Sequence, residues 1–148
     1  MLTRLDGNAD GGTLDAYRVP ACAEQVGNWL CAEAGEDIGA AVTRAVRLLC
    51  GSVAICKSIH VDEESRGQGI GGSLLNAMLE RCSADVVLLI SDANEGQADG
   101  FVLQDWYERN GFARIADTAA GPLMAFPEDV AEGILEILRS ERDRAARP

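Results

Sequence analysis

A glycine-rich segment in the middle of the chain has the composition of an anion-binding site. It reads Arg66-Gly67-Gln68-Gly69-Ile70-Gly71-Gly72. Glycine lets a backbone come close to a ligand, and the N–H groups at the start of a helix point toward one spot. An alternating apolar stretch precedes the segment, and a helical apolar pattern follows it (Leu74, Leu75, Met78, Leu79). Strand, glycine loop and helix in this order predict a site for a phosphate or pyrophosphate.

Two common phosphate-binding motifs fit this segment poorly. A P-loop needs a lysine and then a serine or threonine after its last glycine, whereas this chain has Gly72-Ser73 and no lysine there. Gly67, Gly69 and Gly72 do match the dinucleotide pattern G-x-G-x-x-G. That pattern requires a strand that ends directly in the first glycine, and here five polar residues (62–66) intervene. The dinucleotide fold is therefore kept only as an alternative.

The stretch from Ile59 to Leu75 closely resembles the main motif of the GNAT family of N-acetyltransferases. Arg66, Gly69 and Gly71 satisfy the family pattern Arg/Gln-x-x-Gly-x-Gly/Ala, although Glu63 stands where many members have proline. A second stretch, 101–112, resembles the family's helix that ends in Leu-Tyr-Glu-Lys-x-Gly-Phe. The resemblance covers Ser52 to about Phe126 and covers the first 50 residues poorly.

The resemblance implies that the chain binds acetyl-CoA as its acyl donor. The pyrophosphate would meet backbone N–H groups of the glycine loop, and Arg66 would add a side-chain contact or order the loop. The main-chain groups of Ile59 and Val61 would pair with the pantetheine arm. The implied donor-binding residues are Ile59, Val61, Arg66, Gly67, Gln68, Gly69, Ile70, Gly71, Gly72 and Ser73.

Two side chains are candidates for proton transfer. Tyr107 matches the family's tyrosine near the CoA sulfur, and its phenol can give a proton to the departing thiolate. The asparagine that often stands seven residues before this tyrosine is Gly100 here. His60, the sole histidine, adjoins the donor strand and is a candidate general base for the amine. Strand alternation predicts that its side chain points away from the face of Ile59 and Val61.

The helices and strands that position these residues can be predicted from the spacing of apolar residues and from the glycines and prolines that end each element. The predicted strands are 13–19, 52–61, 86–91, 112–116 and 123–126, the last two joined by a loop through Gly121-Pro122. The predicted helices are 21–34, 71–82, 101–109 and 128–145, with a frayed tail over 139–148. Residues 36–49 favour a helix, although 45–50 would also suit a strand, and 92–100 reads as a polar loop.

These elements predict a mixed α/β fold. The resemblance implies one GNAT-like domain over 1–148, with a mostly antiparallel, splayed central sheet flanked by helices. Within it, 1–50 would be a variable acceptor side, 52–126 the acetyl-CoA-binding core, and 128–145 an extra C-terminal helix. That helix would either cap the sheet or form the surface of a homodimer.

The amino-acid composition limits the classes of partner that the protein is expected to bind. The net charge of −11 disfavours a nucleic-acid partner, since phosphate backbones require clustered basic residues. It suits a cationic amine acceptor, either a small molecule or a protein, drawn to the carboxylates of Glu33, Glu36 and Asp37 and of Asp92, Glu95 and Asp99 across the cleft. Five widely spaced cysteines and one histidine predict reduced thiols and no metal site. With no apolar run of the ~18 residues that a membrane span needs and no signal region, a cytoplasmic protein is predicted.

The sequence therefore favours an N-acetyltransferase that moves an acetyl group from acetyl-CoA to a primary amine. Direct transfer in a ternary complex is expected, because the glycine loop holds no cysteine to form an acyl-enzyme. The alternatives are a non-catalytic acyl-CoA-binding or regulatory module, a toxin that acetylates charged tRNA, and a dinucleotide-binding protein.

Overall fold

The computed structural model describes residues 2–65, 67–91 and 103–146. This part of the chain folds into seven strands and five α-helices. The strands are β1 (Thr3–Arg4), β2 (Gly7–Ala9), β3 (Gly12–Pro20), β4 (Ser52–Val61), β5 (Val86–Ile90), β6 (Ala113–Thr118) and β7 (Gly121–Phe126). The helices are α1 (Glu24–Ala34), α2 (Glu36–Leu49), α3 (Ile70–Cys82), α4 (Leu103–Arg109) and α5 (Glu128–Ala146), with a 3₁₀ turn at Glu63–Ser65.

The strands form one open sheet in the order β1-β3-β4-β5-β7-β6, and β2 also pairs with β3. The β4–β5 pair is parallel, and the other pairs are antiparallel. The predicted mixed α/β fold with a mostly antiparallel sheet is thus confirmed. The β4–β5 ladder covers Val53 to Ile55 on β4 and ends there, although both strands continue. The sheet therefore splays between its two central strands.

Helices cover both faces of the sheet, and each face has its own apolar core. On one side, here called the α1 face, Val26, Leu30, Val46 and Ile134 of α1, α2 and α5 pack on Ile55. On the other, the α3 face, Leu75 and Met78 of α3 and Tyr107 of α4 pack on Cys56 and Leu89. Strand β5 and the first half of β4, from Val53 to Cys56, are buried from both sides, which explains the continuous apolar runs in these segments.

A β-bulge interrupts β4 at Lys57. Ala16 of β3 pairs with Cys56 and Asp15 pairs with Ser58, so Lys57 is an extra residue on β4. The extra residue reverses the alternation. Ile55 therefore packs on the α1 face, whereas Ile59 packs on the α3 face. Asp6 supports β3 at this place, because its carboxylate accepts the Ala16 N–H at 3.2 Å.

Three sequence predictions of elements need correction. Strands β1 and β2 are missing from the prediction, because they are short, exposed and held by main-chain pairing without an apolar pattern. Gly121 and Pro122 lie inside β7 and not in a loop. There the Thr118 hydroxyl donates to the Gly121 carbonyl at 2.7 Å and accepts the Ala120 N–H at 3.1 Å, which closes a tighter turn.

The third correction concerns the C-terminal tail, which continues helix α5 as far as Ala146. Arg44 of α2 holds this end, since its guanidinium makes two contacts to the Glu141 carboxylate at 3.0 and 3.2 Å. The same pairing lowers the pKa of Glu141. Ala131 and Ile134 are fully buried, so α5 caps the α1 face of the sheet. The helix predicted over 36–49 is present as α2, and the loop predicted over 92–100 lies outside the described residues.

Candidate functional site

The glycine loop and the start of α3 form an open cradle of backbone N–H groups. Gly69 is the residue before the helix, with a φ of 76°, and its carbonyl accepts the first helical bond from the Ser73 N–H at 3.0 Å. The N–H groups from Gly69 to Gly72 therefore have no acceptor within the helix. In the described part of the chain, no side chain caps this end. A β-carbon added at Gly67, Gly69 or Gly72 would meet nothing within 4 Å, so the cradle is open to a ligand.

The tip of the β2–β3 hairpin fixes the position of this cradle. Gly11 has a φ of 90°, and a β-carbon on it would collide with the Ser65 side chain. A β-carbon on the next glycine, Gly12, would lie 2.7 Å from Ile70 Cγ2. The Gly11 carbonyl also accepts the Asp62 N–H at 2.6 Å. The sequence analysis missed this role, and its only signal is the Gly11-Gly12 pair.

A cavity of about 180 Å³ lies where β4 and β5 separate. Residues from both faces of the sheet line it, so it joins the α1 face to the α3 face through the gap. Its lining consists of Trp29, Glu33, Cys56, Lys57, Ser58, Ile59, Leu89, Ile90, Leu103, Tyr107 and Ala120. Sequence reasoning singled out Tyr107 and Ile59, and it assigned Glu33 to the acceptor side. Sequence reasoning gave no binding role to the other lining residues. Neither the bulge in β4 nor the gap between β4 and β5 can be recognised from the alternation of apolar and polar residues.

Tyr107 lies in α4 with only 6% of its surface exposed. Its ring packs edge-on against Trp106 and Phe112, with centroids 5.1 and 5.7 Å away. The Asn110 and Phe112 N–H groups donate to its carbonyl, and Gly111 at a φ of 95° lets the chain turn back into β6. The phenol is therefore held in a fixed place on the α3 side of the cavity.

The same helix contacts the glycine loop. A β-carbon on Gly71 would lie 3.5 Å from Val61 Cγ2 and 3.7 Å from Trp106 Cζ2, so β4, α3 and α4 meet at this glycine. Trp106 neighbours Tyr107 along α4. The cradle and the cavity are thus two parts of one site, joined by packed side chains.

His60 lies outside the cavity lining. Its side chain is 65% exposed, and its Nε2 lies 3.3 Å from Asp62 Oδ1. It is the cross-strand partner of Thr13, on the face opposite to Ile59, as strand alternation predicts locally. The structure therefore brings Tyr107 and Ile59 together but keeps His60 apart from them.

The other predicted donor-binding residues occupy the loop and the first turn of α3. Val61 ends β4 beside Gly71, and Gly67, Gln68, Gly69, Ile70, Gly72 and Ser73 follow in the cradle. Arg66 lies outside the described residues, as do Asp92, Glu95, Asp99 and Gly100. Glu36 and Asp37 form the first turn of α2 and are not among the lining residues.

Cys56 is the one thiol that lines the cavity. It is 3% exposed, and burial raises its pKa to about 12, with a further contribution from the negative charge of Asp15. A thiol attacks as its thiolate, so Cys56 is unreactive at neutral pH. Nothing in its environment suits it to form an acyl-enzyme.

Among the described residues, two charged side chains line the cavity, Glu33 from α1 and Lys57 from the bulge. Both are exposed. Within the described residues neither takes part in an ion pair. The described lining thus contributes one carboxylate and one ammonium to the cavity, both open to solvent.

Two other features are absent from the described residues. No helix there is long and apolar enough to cross a membrane. No group of three or more histidine, cysteine, aspartate or glutamate side chains in that part is arranged to hold a metal ion.

The chain was compared with models of known protein families and with curated proteins. Residues 25–114, more than half of the chain, match the family model of the acetyltransferase (GNAT) domain. No curated protein matches the chain.

Several solved structures are similar at low identity. Polyamine N-acetyltransferase from Drosophila melanogaster is 15% identical over 77% of this chain and 66% of its own, with a TM-score of 0.49. Arabidopsis thaliana Naa50, solved with a bisubstrate analogue, is 16% identical over 78% and 64%, with a TM-score of 0.45. PH1933 from Pyrococcus horikoshii OT3 is 21% identical over 53% and 48%, with a TM-score of 0.41. The chain thus spans between about half and two thirds of the length of these proteins.

Proposed function

The chain belongs to the GNAT acetyltransferase family, and on this premise we propose that it transfers an acetyl group from acetyl-CoA to a primary amine in a ternary complex. The observation that carries the proposal is the cavity between β4 and β5. A donor on the α3 face and an acceptor on the α1 face can meet there through the sheet. Direct transfer needs such a meeting place, because it requires both reactants in contact at once.

The donor is expected to lie across the cradle and along β4. The pyrophosphate accepts hydrogen bonds from the N–H groups at the start of α3, where the helix dipole also favours an anion. The pantetheine arm follows the edge of β4 that turns away from β5 beyond Ile55, and it pairs with the main chain near Ile59 and Val61. This route delivers the thioester to the cavity.

A main-chain N–H and the Tyr107 side chain have different roles in the acetyl transfer. The amine nitrogen attacks the thioester carbonyl carbon, and a backbone N–H of the splayed strand stabilises the negative charge that develops on the oxygen. As the C–S bond breaks, the Tyr107 hydroxyl gives its proton to the CoA thiolate. The rigid packing of Tyr107 supports this role, because proton transfer requires a fixed donor within hydrogen-bond reach.

The amine must lose a proton before it attacks, and a general base would accept that proton. His60 was predicted for this role, and its distance from the cavity lining disfavours it. We propose instead that the amine loses its proton to water on the exposed α1 side of the cavity. Cys56 is not proposed as an acyl carrier, because its raised pKa keeps the thiol neutral.

The acceptor is expected to be a cationic amine that enters from the α1 face. Trp29 and Glu33 stand four residues apart on α1, so their side chains are neighbours on one side of the helix. An aromatic ring beside a carboxylate is suited to an alkylammonium group. The net charge of −11 supports this class of acceptor by attracting cations.

The test is calorimetric titration with acetyl-CoA of the wild type and two variants, Gly72→Glu and Gly72→Gln. Gly72 has open space around it and lies in the first helical turn, where a glutamate favours the helix but opposes a bound anion. One added charge a few ångströms from the pyrophosphate costs about 1–4 kcal/mol, so the Kd should rise at least ~5-fold for Gly72→Glu. The neutral Gly72→Gln should weaken binding much less, and both variants should melt as cooperatively as the wild type.

Three outcomes would contradict the proposal. Equal binding by both variants and the wild type would place the pyrophosphate elsewhere. Binding of NADH in place of acetyl-CoA would favour the dinucleotide alternative. Tight acetyl-CoA binding without release of CoA across a panel of mono- and polyamines would instead indicate a non-catalytic acyl-CoA-binding module.

A further inference from the structure

Lys57 is the only lysine in the chain, which otherwise uses twelve arginines for its positive charges. It is also the extra residue of the β4 bulge and a lining residue of the cavity that contains Tyr107. No step of the proposed transfer needs a positive charge at this place. Its ammonium would in fact oppose a cationic acceptor in the same cavity.

No described residue pairs with the amine of Lys57. The side chain is exposed, and in the described part of the chain its ammonium has no carboxylate within ion-pair distance. A lysine carries its amine on four flexible carbons. The bulge places the root of that side chain where β4 leaves β5, which is the point at which the thioester is expected. A primary amine is thus tethered beside the donor.

We propose that Lys57 is an internal acceptor, so that the protein acetylates its own lysine when acetyl-CoA is bound. This inference rests on the proposed function, because it uses the same donor and the same cavity. The neutral Nζ, having lost one proton to water, attacks the thioester carbonyl carbon. The N–C bond forms, the nitrogen releases its second proton to water, and the C–S bond breaks. Tyr107 protonates the departing thiolate and regains a proton from solvent. The products are Nε-acetyl-Lys57 and free CoA.

Acetylation changes the charge of the cavity. The amide of acetyl-lysine is neutral, so Glu33 becomes the single charged side chain among the described lining residues. A cationic acceptor then meets a carboxylate without an opposing ammonium. The modified protein is therefore expected to bind such an amine better than the unmodified one.

The experiment is incubation of the whole chain with acetyl-CoA, followed by tryptic digestion and mass spectrometry. Trypsin cleaves after Lys57 to give peptides 48–57 and 58–66, whereas acetyl-lysine blocks the cut and leaves one peptide, 48–66, with one acetyl group. The comparison samples are Lys57→Arg, which keeps the charge without an acceptor amine, and the wild type unfolded in guanidinium. A parallel calorimetric titration measures acetyl-CoA binding.

We expect peptide 48–66 to appear at least ~10-fold faster in the native protein than in the unfolded chain, because the fold holds amine and thioester together. The first-order rate constant should not depend on protein concentration. An equal rate in the unfolded chain, or a rate that rises with protein concentration, would overturn the inference. An unmodified Lys57 in a protein that binds acetyl-CoA would overturn this inference alone, whereas no acetyl-CoA binding would remove the proposed function with it.

Discussion

The position of Tyr107 depends on contacts with residues beyond the end of α4 as well as within that helix. Its ring lies between Trp106 and Phe112, and its carbonyl accepts the N–H groups of the turn that follows. The phenol therefore reaches the cavity from a side chain whose rotation is restricted on both sides. A restricted donor is suited to protonate a leaving group, since less reorganisation is needed when charge develops.

We expect Tyr107→Phe to lower kcat by ~10²-fold or more, because the leaving thiolate loses its proton donor while the ring packing is retained. The Kd for acetyl-CoA should change little. The matched control is Tyr17→Phe, since Tyr17 is also buried but packs in the core of the α1 face, away from the cavity. An unchanged kcat in Tyr107→Phe, with CoA release as the readout, would exclude the acid role.

At the scale of elements, β4 organises the site. The first half of β4 pairs with both β3 and β5. The second half, after the bulge at Lys57, still pairs with β3 but no longer pairs with β5. The 3₁₀ turn and the glycine loop then carry the chain into α3. The β2–β3 hairpin tip packs against this connection, so the cradle is clamped by a part of the chain that is more than 50 residues earlier.

This clamp predicts different results for two glycines that both have a φ of 90°, Gly11 and Gly35. Gly35→Ala has open space and should cost only backbone strain, about 1–3 kcal/mol of unfolding free energy. Gly11→Ala also collides with Ser65, so it should cost about 1–3 kcal/mol more. Urea unfolding measures both costs.

The same pair of variants separates stability from binding. Gly11→Ala should weaken acetyl-CoA binding, because the cradle must shift to relieve the collision. Gly35→Ala lies in the α1–α2 connection and should bind acetyl-CoA like the wild type. Equal costs, or equal affinities, in the two variants would show that the hairpin tip does not position the cradle.

At the scale of the whole molecule, the proposed reaction would place the donor and the acceptor on opposite faces of the sheet. Helices α3 and α4 with the glycine loop cover one face, while α1 and α2 cover the other. The gap between β4 and β5 is the place where residues of both faces line one cavity. Changes on the α1 face should therefore alter the acceptor parameters and leave the donor parameters unchanged.

Glu33→Gln tests this separation. Its carboxylate is exposed, so its attraction for a cationic amine is modest, and we expect the KM for such an amine to rise by about two- to tenfold. The Kd for acetyl-CoA should not change. Glu24→Gln is the control on the same helix, since Glu24 is exposed but does not line the cavity. A rise in KM that is equal in the two variants would indicate only long-range attraction by the acidic surface.

Much of the site could be predicted from short-range patterns. The glycines, the strand before them and the helix after them follow from local rules, and β4 has the bounds that its sequence predicts. Tyr107 was found in the same way, through a resemblance over a dozen consecutive residues. The membership of the GNAT family and the mixed α/β fold were predicted from these segments and confirmed.

Other features depend on which strands become neighbours. Nothing in the alternation of β4 marks Lys57 as the extra residue, because a bulge is defined by the register with β3. The cavity exists because β5 no longer pairs with β4 after Ile55. His60 does not line this cavity, and its side chain lies on the face of β4 opposite to Ile59. The sequence by itself thus determined the order of strand, glycine loop and helix and the place of Tyr107 in its helix, since these need only adjacent residues. The tertiary structure decided which side chains share a cavity, since that depends on contacts between distant segments.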